Sequence, residues 1–124
     1  MRLFTVEEAN SLIPALRPKL EQLRQCIKEV RAFRQLSRSA AESAIGGGGA
    51  AGASRYVMTL MEFGSINSEI AELGVQVKDP ERGLIDFPSM KGDRIVLLCW
   101  MLGEDDTIEW WHEMEAGFAG RKPL

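Results

Sequence analysis

Apolar residues recur at alternating steps of four and three near the start of the chain, and this seam constrains the fold more than any other feature. Its members are Ala9, Ile13, Leu16, Leu20, Leu23, Ile27 and Val30. Such spacing keeps every member on one side of an α-helix. The seam therefore predicts a long amphipathic helix that buries one face and ends between Ala40 and Ile45.

The predicted helix begins with a capping box. Glu8 follows Thr5 at the spacing that lets each side chain bind the backbone N–H of the other residue. Pro14 and Pro18 lie deeper in the same segment, where a proline removes a backbone donor and crowds the preceding turn. We therefore expect a short opening turn or a kink at Pro14 before the main helix.

A glycine-rich segment at residues 45–54 predicts a flexible loop. It is not a phosphate-binding loop, because neither Lys-Ser nor Lys-Thr follows the glycines. One side of residues 55–73 is again apolar, and it carries Tyr56, Thr59, Phe63, Ile66, Ile70 and Leu73. Gly74 is the natural stop for this second helix. Two such helices predict an antiparallel hairpin over about residues 5–73.

Beyond the hairpin the pattern changes to the alternation that is typical of strands. Turn-forming residues separate four such segments. Those at 75–78 and 84–88 are short strands, and the one at 94–102 is apolar on both faces and should be a central strand. The segment at 107–114 is a final strand or a short helix, and we favour the strand because its residues alternate. The sequence therefore predicts an α+β fold, a long antiparallel helical hairpin followed by a small three- to four-stranded antiparallel β-meander. The meander would occupy about residues 75–115 and a tail residues 116–124, all within one domain of 124 residues.

The first residues, the apolar runs and the cysteine usage predict a cytoplasmic protein without a membrane partner. The longest apolar run, at residues 95–102, is too short to span a bilayer, and the first residues lack the apolar region of a signal peptide. Cys26 and Cys99 lie far apart among apolar residues. They are interpreted as buried free thiols, because a disulfide framework or a structural zinc site has a different cysteine spacing.

A row of arginines runs beside the apolar seam at seven-residue spacing. It consists of Arg17, Arg24, Arg31 and Arg38. Such a row can bind nucleic acid or another polyanion. We favour the alternative, a solvated helix face paired with glutamates such as Glu62 and Glu69, because the net charge of the whole chain is −3 and no aromatic side chain interleaves with the arginines.

A second candidate site surrounds the single histidine of the chain. Its members are Asp86, Glu104, His112, Glu113 and Arg121. A turn at residues 91–92 would pair Asp86 with Leu97, and a turn after Glu104 would pair Leu97 with His112. Asp86 and His112 would then share a face of the sheet at roughly 10 Å, too far for direct contact. That separation suits a divalent metal ion, a small molecule, a water or an arginine between them, with His112 as ligand or general base and Arg121 binding an anionic group.

Structural alternatives exist for the same residues. His112 can pack between tryptophans, and Asp86 can form a buried ion pair with Arg94 or Arg121.

Trp110 and Trp111 are expected on opposite faces of their strand, so one of them lies away from the helices. That tryptophan either lines a pocket or an oligomer interface, or is covered by the tail at residues 116–124.

Several segments spread along the chain form a recognisable set. They are residues 4–10 (FTVEEAN) with Pro14, 74–79, 83–88 (GLIDFP), 98–100 (LCW), 103–104, 111–113 (WHE) and 116–121 (AGFAGR). Together they resemble an uncharacterised prokaryotic family, domain of unknown function 2203. The resemblance runs nearly end to end and implies that Asp86, Glu104, His112 and Arg121 belong to the pattern of the family. It implies no activity.

Three functions remain open from the sequence, and none decides whether the protein is an enzyme. The first is an oligomeric interaction or scaffold domain, with a dimer favoured. The first helix would measure roughly 45 Å against roughly 30 Å for the second, so part of its seam would stay uncovered. The second is a metal-ion or small-molecule site around Asp86 and His112. The third is nucleic-acid binding through the arginine row.

Overall fold

The computed structural model describes residues 1–42 and 49–124, with side chains described outside residues 40–51. The helices are α1 (Val6–Glu42) and α2 (Gly49–Glu72). The strands are β1 (Gln76–Asp79), β2 (Leu84–Lys91), β3 (Arg94–Met101), β4 (Trp110–His112) and β5 (Lys122–Pro123). A short 3₁₀ helix, Phe118–Gly120, precedes β5. The α+β fold predicted from the sequence is confirmed.

Helix α1 begins with the predicted capping box and continues without a break. The Thr5 backbone N–H donates to a Glu8 carboxylate oxygen at 3.0 Å, and the Glu8 N–H donates to the Thr5 hydroxyl oxygen at 3.1 Å. Both prolines lie inside one 37-residue helix, so no separate opening turn precedes the main helix at Pro14. Residues on either side of Pro14, Ile13 and Leu16, are fully buried. Their packing holds the helix together where one backbone hydrogen bond is missing.

Helix α2 begins at Gly49, six residues before the predicted start. Glycine weakens a helix but does not forbid one, and tertiary packing supplies the rest. Gly52 contributes to that packing, since a Cβ there would lie 3.2 Å from the Phe33 ring. The remainder of the predicted loop, residues 45–48, lies outside the described residues. The predicted stop is confirmed at Gly74, which has a φ of 90°.

The two helices run antiparallel. Lys19 of α1 binds Glu69 of α2, whereas Glu29, farther along α1, binds Arg55 near the start of α2. Phe33 stacks on the ring of Tyr56 at 4.5 Å between centroids. The predicted helical hairpin therefore forms with the apolar seams facing each other.

The sheet is an antiparallel meander in which each strand pairs with the next along the chain. It has five strands instead of the predicted three or four. The additional strand, β5, comes from the tail and pairs Pro123 with Trp110 and Lys122 with Trp111. A two-residue strand that contains proline has no alternating pattern to detect, which explains why it was missed.

Both faces of the sheet are buried. The face toward the helices joins the α1 seam through side chains such as Phe87, Leu98 and Trp100. The opposite face carries Asp86, Leu97, Cys99 and His112, and all four are at most 2% exposed. The Arg121 guanidinium, from the tail, donates to the Cys99 carbonyl oxygen on this face at 3.3 Å. The same guanidinium lies 5.2 Å from the Trp110 ring, so the tail packs on Trp110, as one of the two alternatives for the tryptophans predicts.

Candidate metal centre

Strand register decides which polar groups meet on the tail-covered face. Leu97 pairs with His112, as predicted. Asp86 pairs with Cys99 and not with Leu97, because the turn is formed by Gly92 and Asp93 instead of residues 91–92. The shift of two residues leaves Asp86 on the predicted face, since side chains alternate with a period of two.

Asp86 and His112 are in direct contact, which corrects the predicted separation of roughly 10 Å. Asp86 Oδ2 lies 3.0 Å from His112 Nε2, and the side chains are 1% and 2% exposed. The strand backbones are two strands apart, but the two side chains reach toward each other across the central strand. The interpretation of Asp86 as a partner of Arg94 or Arg121 is also wrong, because Arg94 binds Glu113 and Arg121 binds Glu104.

The histidine tautomer follows from its second hydrogen bond. His112 Nδ1 lies 2.7 Å from the Glu113 carbonyl oxygen. A carbonyl oxygen only accepts, so the hydrogen must be on Nδ1. In a neutral imidazole Nε2 then presents a lone pair to the carboxylate of Asp86. Two acceptors at 3.0 Å require a proton or a cation between them.

Cys99 lies beside this pair, although its sequence spacing gave no sign of it. One ligand atom each from Asp86, Cys99 and His112 lies within 4.8 Å of the other two. Burial raises the pKa of the Cys99 thiol to about 12, and the charge of Asp86 contributes to the rise. The free thiol is therefore protonated at neutral pH and is a poor nucleophile. The prediction that both cysteines are buried free thiols is confirmed.

Two buried polar atoms flank this cysteine without a hydrogen-bond partner among the described residues. They are Asp86 Oδ1 and Arg121 Nε. An unpaired buried polar atom normally costs about 1–3 kcal/mol, so such atoms call for an explanation. The Cys99 thiol beside them is only a weak donor to Asp86 and a weak acceptor from Arg121, so neither atom has a strong hydrogen-bond partner.

Arg121 is held firmly at the edge of the cluster. Its Nη2 donates to a Glu104 carboxylate oxygen at 2.8 Å. The guanidinium carbon lies 5.2 Å from the Trp110 ring and 4.8 Å from the Phe118 ring. Aromatic faces attract a guanidinium at these distances. Glu104 in turn accepts from the Met101 backbone N–H at 2.8 Å.

The five candidate residues therefore divide into three groups. Asp86 and His112 form the centre, and Glu104 and Arg121 lie next to it. The Glu113 side chain points elsewhere and binds Arg94 at 2.6 Å, a hydrogen bond that lowers the pKa of Glu113. Cys99 also belongs to the cluster, although the sequence did not identify it as a candidate. The correct register of β2 against β3, which pairs Asp86 with Cys99, would have identified it.

The arginine row is largely engaged with the turns of the sheet. Arg17 binds Asp106, and Arg31 binds Glu81 through both guanidinium Nη atoms. Arg24 donates to the carbonyl oxygen of Glu81 at 3.1 Å. The acidic partners come from the sheet, not from Glu62 or Glu69 as the favoured alternative expected. The described helices also contain no segment long and apolar enough to cross a membrane.

Comparisons with known proteins identify a family but no function. The family model described as "Uncharacterized conserved protein (DUF2203)" matches residues 2–124. No curated protein and no solved structure matches the chain. Since the matched region covers nearly every residue, the chain belongs to the family DUF2203.

Proposed function

We propose that this domain binds a divalent metal ion through Asp86, Cys99 and His112. The observation that carries the proposal is the 3.0 Å contact between Asp86 Oδ2 and His112 Nε2, with Nδ1 of the histidine already committed to a carbonyl oxygen. Both facing atoms are acceptors unless a proton lies between them. A metal ion satisfies them together.

Charge balance supports a divalent ion over a monovalent one. Without metal, the site holds one proton between Asp86 and His112 and one on the Cys99 thiol. A divalent ion replaces these two protons and leaves the total buried charge unchanged. A monovalent ion could replace only the proton between Asp86 and His112, because loss of the Cys99 proton as well would leave an uncompensated negative charge in a site that is at most 2% exposed. Cys99 would then stay a thiol, which is a poor metal ligand.

The donor set indicates the class of metal. A thiolate, an imidazole and a carboxylate together suit zinc and chemically similar ions, whereas magnesium and calcium prefer oxygen donors alone. Zinc–ligand distances are about 2.0–2.3 Å, so ligand atoms that lie within 4.8 Å of one another need to move only slightly.

The surroundings of the ligands also suit a metal thiolate. A zinc-bound histidine commonly donates its other ring N–H to a backbone carbonyl, the arrangement that His112 has with Glu113. The Arg121 side chain beside Cys99 can donate a stronger hydrogen bond to a thiolate sulfur than to a thiol. Because the three ligands come from β2, β3 and β4, the bound ion would cross-link three adjacent strands beneath the tail.

Cobalt binding provides the sharpest test, because cobalt(II) reports a thiolate ligand by its charge-transfer absorption. We expect chelator-treated protein to bind one cobalt ion per chain with a thiolate band, and zinc to displace the cobalt. Replacing Cys99 with serine should abolish the band. Zinc at a hundred times its dissociation constant should stabilise the fold by about 2.7 kcal/mol.

Cys26→Ser is the matched control for this experiment. Cys26 is also buried, at 2% exposure, but it lies on α1 and not on the sheet. The variant should keep the cobalt band. A band that survives Cys99→Ser, or wild-type protein that binds no cobalt or zinc at micromolar concentration, would contradict the proposal.

A further inference from the structure

Four large apolar side chains lie exposed within a single five-residue stretch of α2. They are Val57, Met58, Leu60 and Met61, at 52%, 69%, 41% and 69% exposure. We call them the outer face of α2. Single exposed apolar residues are ordinary, but a contiguous group of this size is typical of an interaction surface.

The outer face adds to an expectation from the sequence. The seam of α1 was expected to remain partly uncovered. Its members from Ala9 to Leu23 are fully buried, whereas Ile27 and Val30 are only half-buried. A larger group of exposed apolar side chains lies on the second helix.

The outer part of the hairpin extends beyond the polar contacts of α1 with the sheet. Among the described residues, Arg31 is the residue of α1 nearest the hairpin tip that forms such a contact, and its partner is Glu81. Beyond it, a groove of about 240 Å³ lies between the helices, lined partly by Phe33 and Tyr56. Leu36 is 70% exposed there. Two helices without a third layer bury little apolar surface, and a second hairpin is the simplest element that completes a helical core.

Charges around the outer face favour a second copy of the chain over a charged partner. Arg55 is paired with Glu29 and Glu69 with Lys19, so the neighbouring charges are compensated within one protomer. Antiparallel contact of two α2 helices would also place the basic start of each helix near the acidic end of the other. Two copies would then bring opposite charges together at both ends of the contact, while the exposed Glu62 side chains beside Met61 would face each other near its centre.

The backbone along the outer face permits close approach. Gly64 follows the apolar group on the same side of α2, and a Cβ at this position would have no atom within 4 Å. Small residues at a helix surface let a second helix pack closely. An antiparallel crossing near Met61 makes the contact self-complementary, as a two-fold axis requires.

We propose that two copies of this chain associate through the outer face of α2, with the helices antiparallel and the two hairpins forming a four-helix arrangement. The contact lies on the hairpin and uses none of Asp86, Cys99 and His112. Dimer formation is therefore independent of metal binding, and each proposal can fail alone.

Sedimentation equilibrium of the full chain at micromolar concentration tests the proposal. The wild-type protein is expected to have twice the mass of the chain, and the double variant Met58→Glu/Met61→Glu the mass of one chain. The control is Met90→Glu/Met114→Glu, which adds two charges at methionines that are 50% and 43% exposed away from α2. This control should stay dimeric, and circular dichroism should show the same helix content in all three proteins.

Disulfide trapping tests the geometry of the contact. A cysteine introduced as Met61→Cys lies near its symmetry mate in the proposed dimer, so oxidised glutathione should link two chains rapidly. Met90→Cys should link them slowly, and the native cysteines are buried. A monomeric wild-type protein, or equal linking at positions 61 and 90, would overturn the proposal, as would an outer face occupied only by a different protein.

Discussion

Replacing Asp86 with alanine should lower the free energy of unfolding by about 3–5 kcal/mol, the cost of removing one partner from a buried charged pair. The variant leaves His112 at 2% exposure with no carboxylate, and its Nδ1 still bound to Glu113. Urea denaturation followed by circular dichroism, in the presence of a chelator, measures the change. The chelator separates the stability of the pair from that of any metal complex.

Two further variants show whether the pair itself is responsible. Asp86→Asn keeps a donor for Nε2 through its amide group, so it should lower the free energy of unfolding much less than Asp86→Ala does. Metal binding should still be lost, because the amide is a weaker ligand than the carboxylate. The double variant Asp86→Leu/His112→Leu removes both polar groups and should be more stable than Asp86→Ala. A loss of less than about 1 kcal/mol for Asp86→Ala would show that the contact contributes little.

The second large effect is expected at Gly83, in the turn between β1 and β2. Gly83 has a φ of 66°, and an added Cβ would lie 2.4 Å from the Leu102 Cγ and 2.9 Å from the Leu102 Cβ. The carbonyl oxygen of Gly83 also accepts the Leu102 N–H at 3.1 Å, so the two residues cannot easily separate. Gly83→Ala should therefore cost about 3–4 kcal/mol, the sum of left-handed strain and overpacking.

Gly92→Ala is the matched control for this prediction. Gly92 has nearly the same φ, 64°, but a Cβ there would meet nothing within 4 Å. Gly92→Ala should therefore lower the free energy of unfolding by about 1 kcal/mol, the cost of left-handed backbone strain alone. Thermal or urea unfolding of both variants measures the difference. Equal losses would show that Leu102 moves aside at no cost and that the close approach is unimportant.

The periodic parts of the fold could be read from the sequence because they depend on neighbours along the chain. The α1 seam, the capping box of Thr5 and Glu8, and the stop at Gly74 all follow local rules. The start of α2 could not be read in the same way. The glycines around residue 49 favour a loop by composition, and only packing such as that of Gly52 on Phe33 favours the helix.

The candidate site depended on information that is not local. The common face of Asp86 and His112 was predicted correctly, because alternation survives a register error of two residues. The direct contact between Asp86 and His112 and the proximity of Cys99 were not predicted. Both depend on the true strand register and on the directions in which the side chains point. The tail was missed as a strand for a related reason, since Lys122 and Pro123 form one only against β4.

The two edge strands of the sheet bear on whether the domain can aggregate through strand pairing. At one edge, β1 is four residues long, carries an exposed Lys78 and has an irregular register between Val77 and Asp79. At the other, β5 is two residues long and ends in Pro123, which has no N–H to offer. Neither strand is a good template for the open-ended stacking that leads to fibrils. The proposed association through the outer face of α2 would close after two copies, whereas neither edge strand favours association that continues without limit.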